Sequence, residues 1–165
     1  LLYALAEQAV AKRCENIKLY LPADHPFAEY VQRFGAKWRI IFPRHGAGMM
    51  RIINQEPLFH ALTPELEHRI TLAHLRDYTG KLTLKTDIGT THLSIDHGHM
   101  RLSKDPAQSM VLALSQQRLM QLLAGYRSVL DVINDPEVQT SRDAIPLLQA
   151  LFPKGIPFMY SADHF

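Results

Sequence analysis

His92, Asp96, His97 and His99 lie within eight residues of one another and are of types that ligate metals or carry protons. A two-residue turn at His97-Gly98 would set Asp96 opposite His99 and His92 opposite Ser103. His92 and His99 then share a face but stand about four residue steps apart, or ~13 Å at ~3.3 Å per residue, too far for one ion. The spacing predicts an outward, solvated Asp96–His99 pair and no zinc centre. His60, His68 and His74 lack i, i+4 spacing and read as surface residues. Ser94, Ser103, Ser109 and Ser115 have no Gly-x-Ser-x-Gly elbow to make a nucleophile of any of them. Gly46-Ala47-Gly48 precedes a strand pattern, so it offers no helix N-terminus to a phosphate. Cys14, beside Lys12 and Arg13, has no His or Asp partner in sequence and reads as an inert packing residue.

The elements that must position such side chains follow from periodicity. Leu2, Leu5, Ala9 and Val10 mark a helix already under way at the first residues. Ile17, Leu19 and Leu21 alternate with Lys18 and Tyr20, which predicts a strand. Asp24 then caps a short helix whose first turn holds Pro26 and whose face carries Phe27, Val31 and Phe34; Gly35 ends it. Further strands are predicted over Trp38–Phe42 and Met49–Asn54, with a domain boundary at the intervening glycine segment. Thr63-Pro64-Glu65 reads as an N-cap, a first-turn proline and a first-turn acid, opening a helix that runs to Gly80. A meander follows over 81–86, 91–95, 100–102 and 108–114. Helices start at Ser115, Ser128 and Asp143, the last closed by Pro153. The order predicts an α+β layer, an antiparallel or mixed sheet with helices on one face.

Composition narrows the function classes. The 165 residues are 47% hydrophobic and 21% charged, ordinary values for a globular chain. Eighteen basic and sixteen acidic residues give a net charge of +2 with no Lys/Arg run, so nothing points to nucleic acid. A single cysteine excludes an internal disulfide framework and suits a reducing cytoplasm. No apolar run is long enough to span a bilayer.

The stretch NIKLYLPADHPFAEYVQRFGA, residues 16–36, resembles the C-terminal half of a GNAT acetyltransferase domain: a strand, then Asn-x-x-Ala, then Tyr-x-x-x-Gly-Phe. Asp24 falls at the Asn position, Phe27 at the Ala, Gly35 at the Gly and Ala36 at the Phe. Val31 stands where the family has the tyrosine that reprotonates the coenzyme A thiolate. Tyr30 is one residue earlier, ~100° round the helix, and faces elsewhere. The Arg/Gln-x-x-Gly-x-Gly/Ala turn that binds pyrophosphate in the family has no counterpart before the first helix. With a start that shows neither Met nor cap, this marks the chain as a fragment of a longer protein.

Three further strings, MMRIINQEPLFHALTPELEHR, LSQQRLMQLLAGYRSVLDVI and LLQALFPKGIPFMYSADHF, resemble the sterol carrier protein-like domain that ends multidomain GNAT enzymes of the enhanced intracellular survival type. The resemblance divides the chain into a half-GNAT segment, 1–48, and a sterol carrier protein-like domain, 49–165. It implies a parent that transfers acetyl from acetyl-CoA to a small-molecule amine, with this fragment inactive alone and without bound acetyl-CoA. Amine acetylation needs a base to take the ammonium proton. In the family the α-carboxylate of a C-terminal phenylalanine does this, and Phe165 matches that position. His164 would then orient or pair with the carboxylate. Two alternatives belong to other classes. One is a hydrophobe-binding module lined by Met100, Met110, Met120 and Met159. The other is a scaffold for a homo-oligomer, in which Leu2, Leu5, Val10 and the strand at 17–21 are bared.

Overall fold

The computed structural model describes residues 1–39, 50–105 and 109–157. These fall into two compact units, one within 1–39 and one within 50–157. The boundary expected between residues 48 and 49, and most of the strand expected at 38–42, lie outside the described residues.

The first unit holds helix α1, Leu2–Ala11, and helix α2, Pro26–Gln32. No side chain of α1 is buried, and Ala28 is the one buried residue among those described in the unit. The cap of α2 is His25 rather than Asp24: its Nδ1 accepts the Phe27 N–H at 3.1 Å, with Pro26 in the first turn as expected. Gly35 follows the helix at φ +81, where glycine carries no Cβ penalty. Residues 17–21 form no strand, because an alternating pattern becomes a strand only where another strand accepts its backbone hydrogen bonds. The face of α2 also differs from expectation. Ring contacts run Phe27–Tyr30–Phe34, with centroids 6.3 and 5.4 Å apart, and Val31 lies outside that row.

The second unit opens on helix α3, Gln55–Leu72, capped at Asn54. Its start lies eight residues before Thr63, so Pro64 sits inside the helix. Proline lacks the N–H that an interior turn uses. The Thr63 hydroxyl instead donates to the Phe59 carbonyl one turn back, at 3.0 Å, which makes Thr63 an interior residue and not a cap. The strand expected over 49–54 is absent from 50–54, yet Ile52 is buried and Ile53 stands 93% exposed.

Strands β1 (Gly80–Thr86), β2 (Gly89–Asp96), β3 (His99–Ser103), β4 (Met110–Ala113) and β5 (Gln139–Thr140) form one sheet in the order β3-β2-β1-β4-β5. The sheet is mixed. β1–β2, β2–β3 and β4–β5 are antiparallel, while β4 returns beside β1 in parallel register, Leu82 opposite Met110. The β2–β3 hairpin turns on His97 (φ +47) and Gly98 (φ +78), the pair of positive φ values that the right-handed twist of a hairpin favours. Helices α4 (Gln116–Leu123), α5 (Val129–Ile133) and α6 (Ile145–Leu151) complete the unit, with a 3-10 turn over Arg142–Ala144. Ser115 caps α4 as expected. Ser128 and Asp131 form a reciprocal capping box at α5.

The core follows the alternation. Leu82, Leu84, Leu93, Ile95, Met100 and Leu112 point from the sheet toward the helices, where Phe59, Leu66, Ile70, Leu147, Leu148 and Leu151 meet them, all at most 2% exposed. Each such side chain contributes about 1.5–3 kcal/mol through burial. Gln55, Thr83 and Thr91 are the buried polar residues among those described. The Gln55 Nε2 donates to the Leu84 carbonyl (3.0 Å) and its Oε1 accepts from the Thr86 hydroxyl (2.5 Å), so both ends of the amide are bonded.

Candidate functional site

The apolar stripe of α3 is wider than the sheet can cover. Its first four turns carry Pro57, Leu58, Leu62 and Leu66, and α4 adds Met120 and Leu123. Together with Ile52 and Ile53 these line a cavity of about 510 Å³ within the second unit. The rim is charged by Arg51, Glu65 and Arg69. Arg69 is fixed in place: Nε donates to Glu65 Oε1 at 2.7 Å, one turn away, and Nη1 donates to the Leu151 carbonyl at 2.9 Å. The start of α4, the helix that carries Met120 and Leu123, is tied to the β1–β2 turn by the Gln116 N–H, which donates to Asp87 Oδ1 at 2.6 Å. That hydrogen bond holds the Asp87 carboxyl below its usual range, and the Arg51 charge adds to the effect. A mostly apolar wall with a few charged groups at its mouth has the character of a site for an apolar ligand.

On the other face of the sheet, three strands bring a different set together. The Thr83 hydroxyl, nearly buried, lies 2.8 Å from His92 Nδ1 and 2.7 Å from the Ser109 hydroxyl. Sequence spacing gave no hint of this chain, because β4 reaches β1 through a parallel return that alternation alone does not reveal.

The residues singled out in the sequence are scattered. Asp96 and His99 are register partners as expected, but the Asp96 carboxylate bonds its neighbour His97, at 2.8 Å, instead of His99. The positive φ of His97 swings its ring back beside Asp96. His99 Nδ1 sits 3.6 Å from Glu67 Oε1 on α3. Among the described residues no group of three His, Cys, Asp or Glu is placed to hold a metal ion. His60, His68 and His74 are exposed. Cys14 is exposed too and packs into nothing, which corrects its reading as a packing residue. Met100 is core, and Met110 accepts from the Tyr78 hydroxyl at 3.6 Å, whose burial pushes the Tyr78 phenol up. Among the described members of the expected set, Met120 is the one that lines the cavity. Met159, His164 and Phe165 lie outside the described residues. None of the described helices is long and apolar enough to cross a membrane.

No protein-family profile matches this chain, and no curated protein sequence does. Among solved structures it is similar to a sterol carrier protein 2 crystal structure, at 13% identity over 61% of this chain and 98% of the other, TM-score 0.46. It is also similar to a probable N-acyltransferase of Enterococcus faecalis V583, at 20% identity over 53% of this chain and 26% of the other, TM-score 0.40. A GCN5-related N-acetyltransferase from Kribbella flavida is similar at 23% identity over 50% and 22%, TM-score 0.37. The chain spans about a quarter of the length of these two enzymes.

Proposed function

We propose that this chain is the C-terminal part of a cytoplasmic, acetyl-CoA-dependent N-acetyltransferase acting on an amine, with residues 1–48 as half of a GNAT-like domain and residues 49–165 as a sterol carrier protein-like domain. The observation that supports this reading is the first unit. Its residues follow the GNAT-like layout through the glycine-closed helix α2, yet bury one side chain among those described. A unit with no core of its own needs apolar surface from elsewhere to stay folded. The missing half of an acetyltransferase domain would supply that surface. Acetyl-CoA binding is proposed for the parent protein, whose pyrophosphate-binding turn would precede α1 in the GNAT-like layout.

In that parent the Phe165 carboxylate is the proposed base. It takes the proton from the substrate ammonium, freeing the nitrogen lone pair to attack the thioester carbonyl. Appending one residue after Phe165 turns the carboxylate into an amide, and turnover of the longer enzyme should fall by about 10²–10⁴. Phe165→Ala keeps the charge and should cost less. Normal turnover in a C-terminally extended enzyme would remove Phe165 from the mechanism. Acetyl-CoA titrated calorimetrically into the present chain should give no binding heat, and tight binding would sink the division of labour proposed here.

A second reading rests on the cavity against α3 and α4. Its apolar wall favours a hydrophobe-binding role for the second unit, with or without catalysis elsewhere. An environment-sensitive fluorescent acyl probe should bind at micromolar levels, and Leu62→Glu, which places a carboxylate on the wall, should abolish that binding. Failure of the wild-type chain to bind the probe would eliminate this role.

A further inference from the structure

Strand register turns the sheet's uncovered face into a grid. One row across the strands reads Arg101, Ser94, Lys81 and, on the approach to β4, Ser109; the next reads Ser103, His92, Thr83 and Val111; the third holds Thr90, Lys85 and Ala113. These positions alternate with the core-facing leucines, so all lie on the side away from the helices. Three cations, one imidazole and five hydroxyls occupy the grid, and the strands place no carboxylate in any of its three rows. The nearest strand carboxylate, Asp96, stands at the hairpin end and is bonded to His97. Asp105 reaches Lys81 from the loop after β3, at 2.7 Å, as a partly exposed pair that a competing carboxylate can displace at little cost. Thr83 joins His92 and Ser109 across the middle of the face by hydrogen bonds.

We propose that this face is a docking surface for an acidic polypeptide. Lys81 and Lys85 are four residues apart on one strand, ~13 Å, and Arg101 lies two strands over from Lys81, ~10 Å. Carboxylates on alternate residues of an extended segment repeat at ~7 Å and meet such an array in register. Charge complementarity sets the class of occupant, and the rest of the grid selects within the anions. No aromatic ring stands among its eleven positions to stack a base, which disfavours single-stranded nucleic acid. Its apolar content is Val111 and Ala113, too little to insert into a bilayer.

The test is fluorescence anisotropy of a labelled oligoglutamate peptide with the full chain, alongside labelled oligouridylate and vesicles containing phosphatidylglycerol. Lys85→Glu with Arg101→Glu alters two exposed side chains, and circular dichroism confirms that the fold is kept. Arg127→Glu with Lys154→Glu, two positions outside the sheet, is the control of equal charge change. Oligoglutamate should bind at low salt, weaken with added salt, and lose about tenfold or more in affinity in the double variant but not in the control. Equal binding by all three proteins, or no binding at low salt, overturns the proposal. Preference for oligouridylate or for vesicles over the peptide overturns it as well.

Discussion

The N–H of Gly155 donates to the carbonyl of Gly125 at 2.9 Å, tying the stretch after α6 to the turn that ends α4. Gly125 holds φ +69, and a Cβ there would meet Gly155 N at 3.0 Å and the Pro153 carbonyl at 3.3 Å. Gly125→Ala therefore meets backbone strain and a backbone contact together. We expect a loss of about 1–3 kcal/mol, read as a lower denaturant midpoint with unchanged slope. An unchanged midpoint would show that the connector shifts freely.

Asp87 couples the β1–β2 hairpin to the start of α4 through the Gln116 N–H. Its carboxyl is held low, so its stabilisation is present at neutral pH and is lost as pH falls through the folded-state value. Asp87→Asn should melt at a lower temperature than the parent chain at pH 7. The gap should close in strong acid, where both side chains are neutral. A gap independent of pH would assign the effect to shape and not charge.

Gln55 is a buried amide with both ends bonded. Gln55→Leu removes the amide's bonds to the Leu84 carbonyl and the Thr86 hydroxyl, while the Leu84 carbonyl keeps its ladder partner Thr91, and should cost about 0.5–1.5 kcal/mol. Urea denaturation measures it, and a neutral result would mean that those two bonds add nothing net.

The bared side chains of the first unit predict self-association. Val10, Tyr3 and Tyr20 are each at least 76% exposed, with Phe34 at 64%. Light scattering of the full chain should show mass above the monomer at high concentration, reduced by Tyr20→Glu with Phe34→Glu. A monodisperse monomer at high concentration would contradict it.

The sequence was most readable where local signals and tertiary context agree. The His97-Gly98 turn, the caps at Ser115 and Ser128, and the core face of Leu82, Leu84, Leu93 and Ile95 all appear where alternation and turn chemistry place them. Three features escaped. Thr63-Pro64 imitates a helix start, and only the continuous burial of Phe59 and Leu66 on one helix shows otherwise. The parallel return of β4 and the two-residue β5 have no local signature, since pairing partners are chosen at long range. Residues 17–21 carry the strand pattern without a neighbour to complete it. As for the sites, the α3–α4 cavity was visible only through Met120, because a cavity wall and a core face are written in the same leucines. The terminal residue proposed as the base lies outside the described residues.

Glu67 has a consequence for how this sheet can be extended. Met100 follows the turn-closing pair of the β2–β3 hairpin, so its N–H points off the edge of the sheet, and Glu67 Oε1 receives it at 2.7 Å. At the opposite margin β5 ends after two residues, and Ser141 takes the next bonds with Val111 through its own N–H and hydroxyl. The β3 margin is thus stoppered by a side chain where a further strand would begin to zip on, and the outward Val111 N–H of β4 is taken where β5 stops. Lateral growth, the route to runaway fibrous stacking, meets a filled hydrogen-bonding position at the first rung beside the β2–β3 turn.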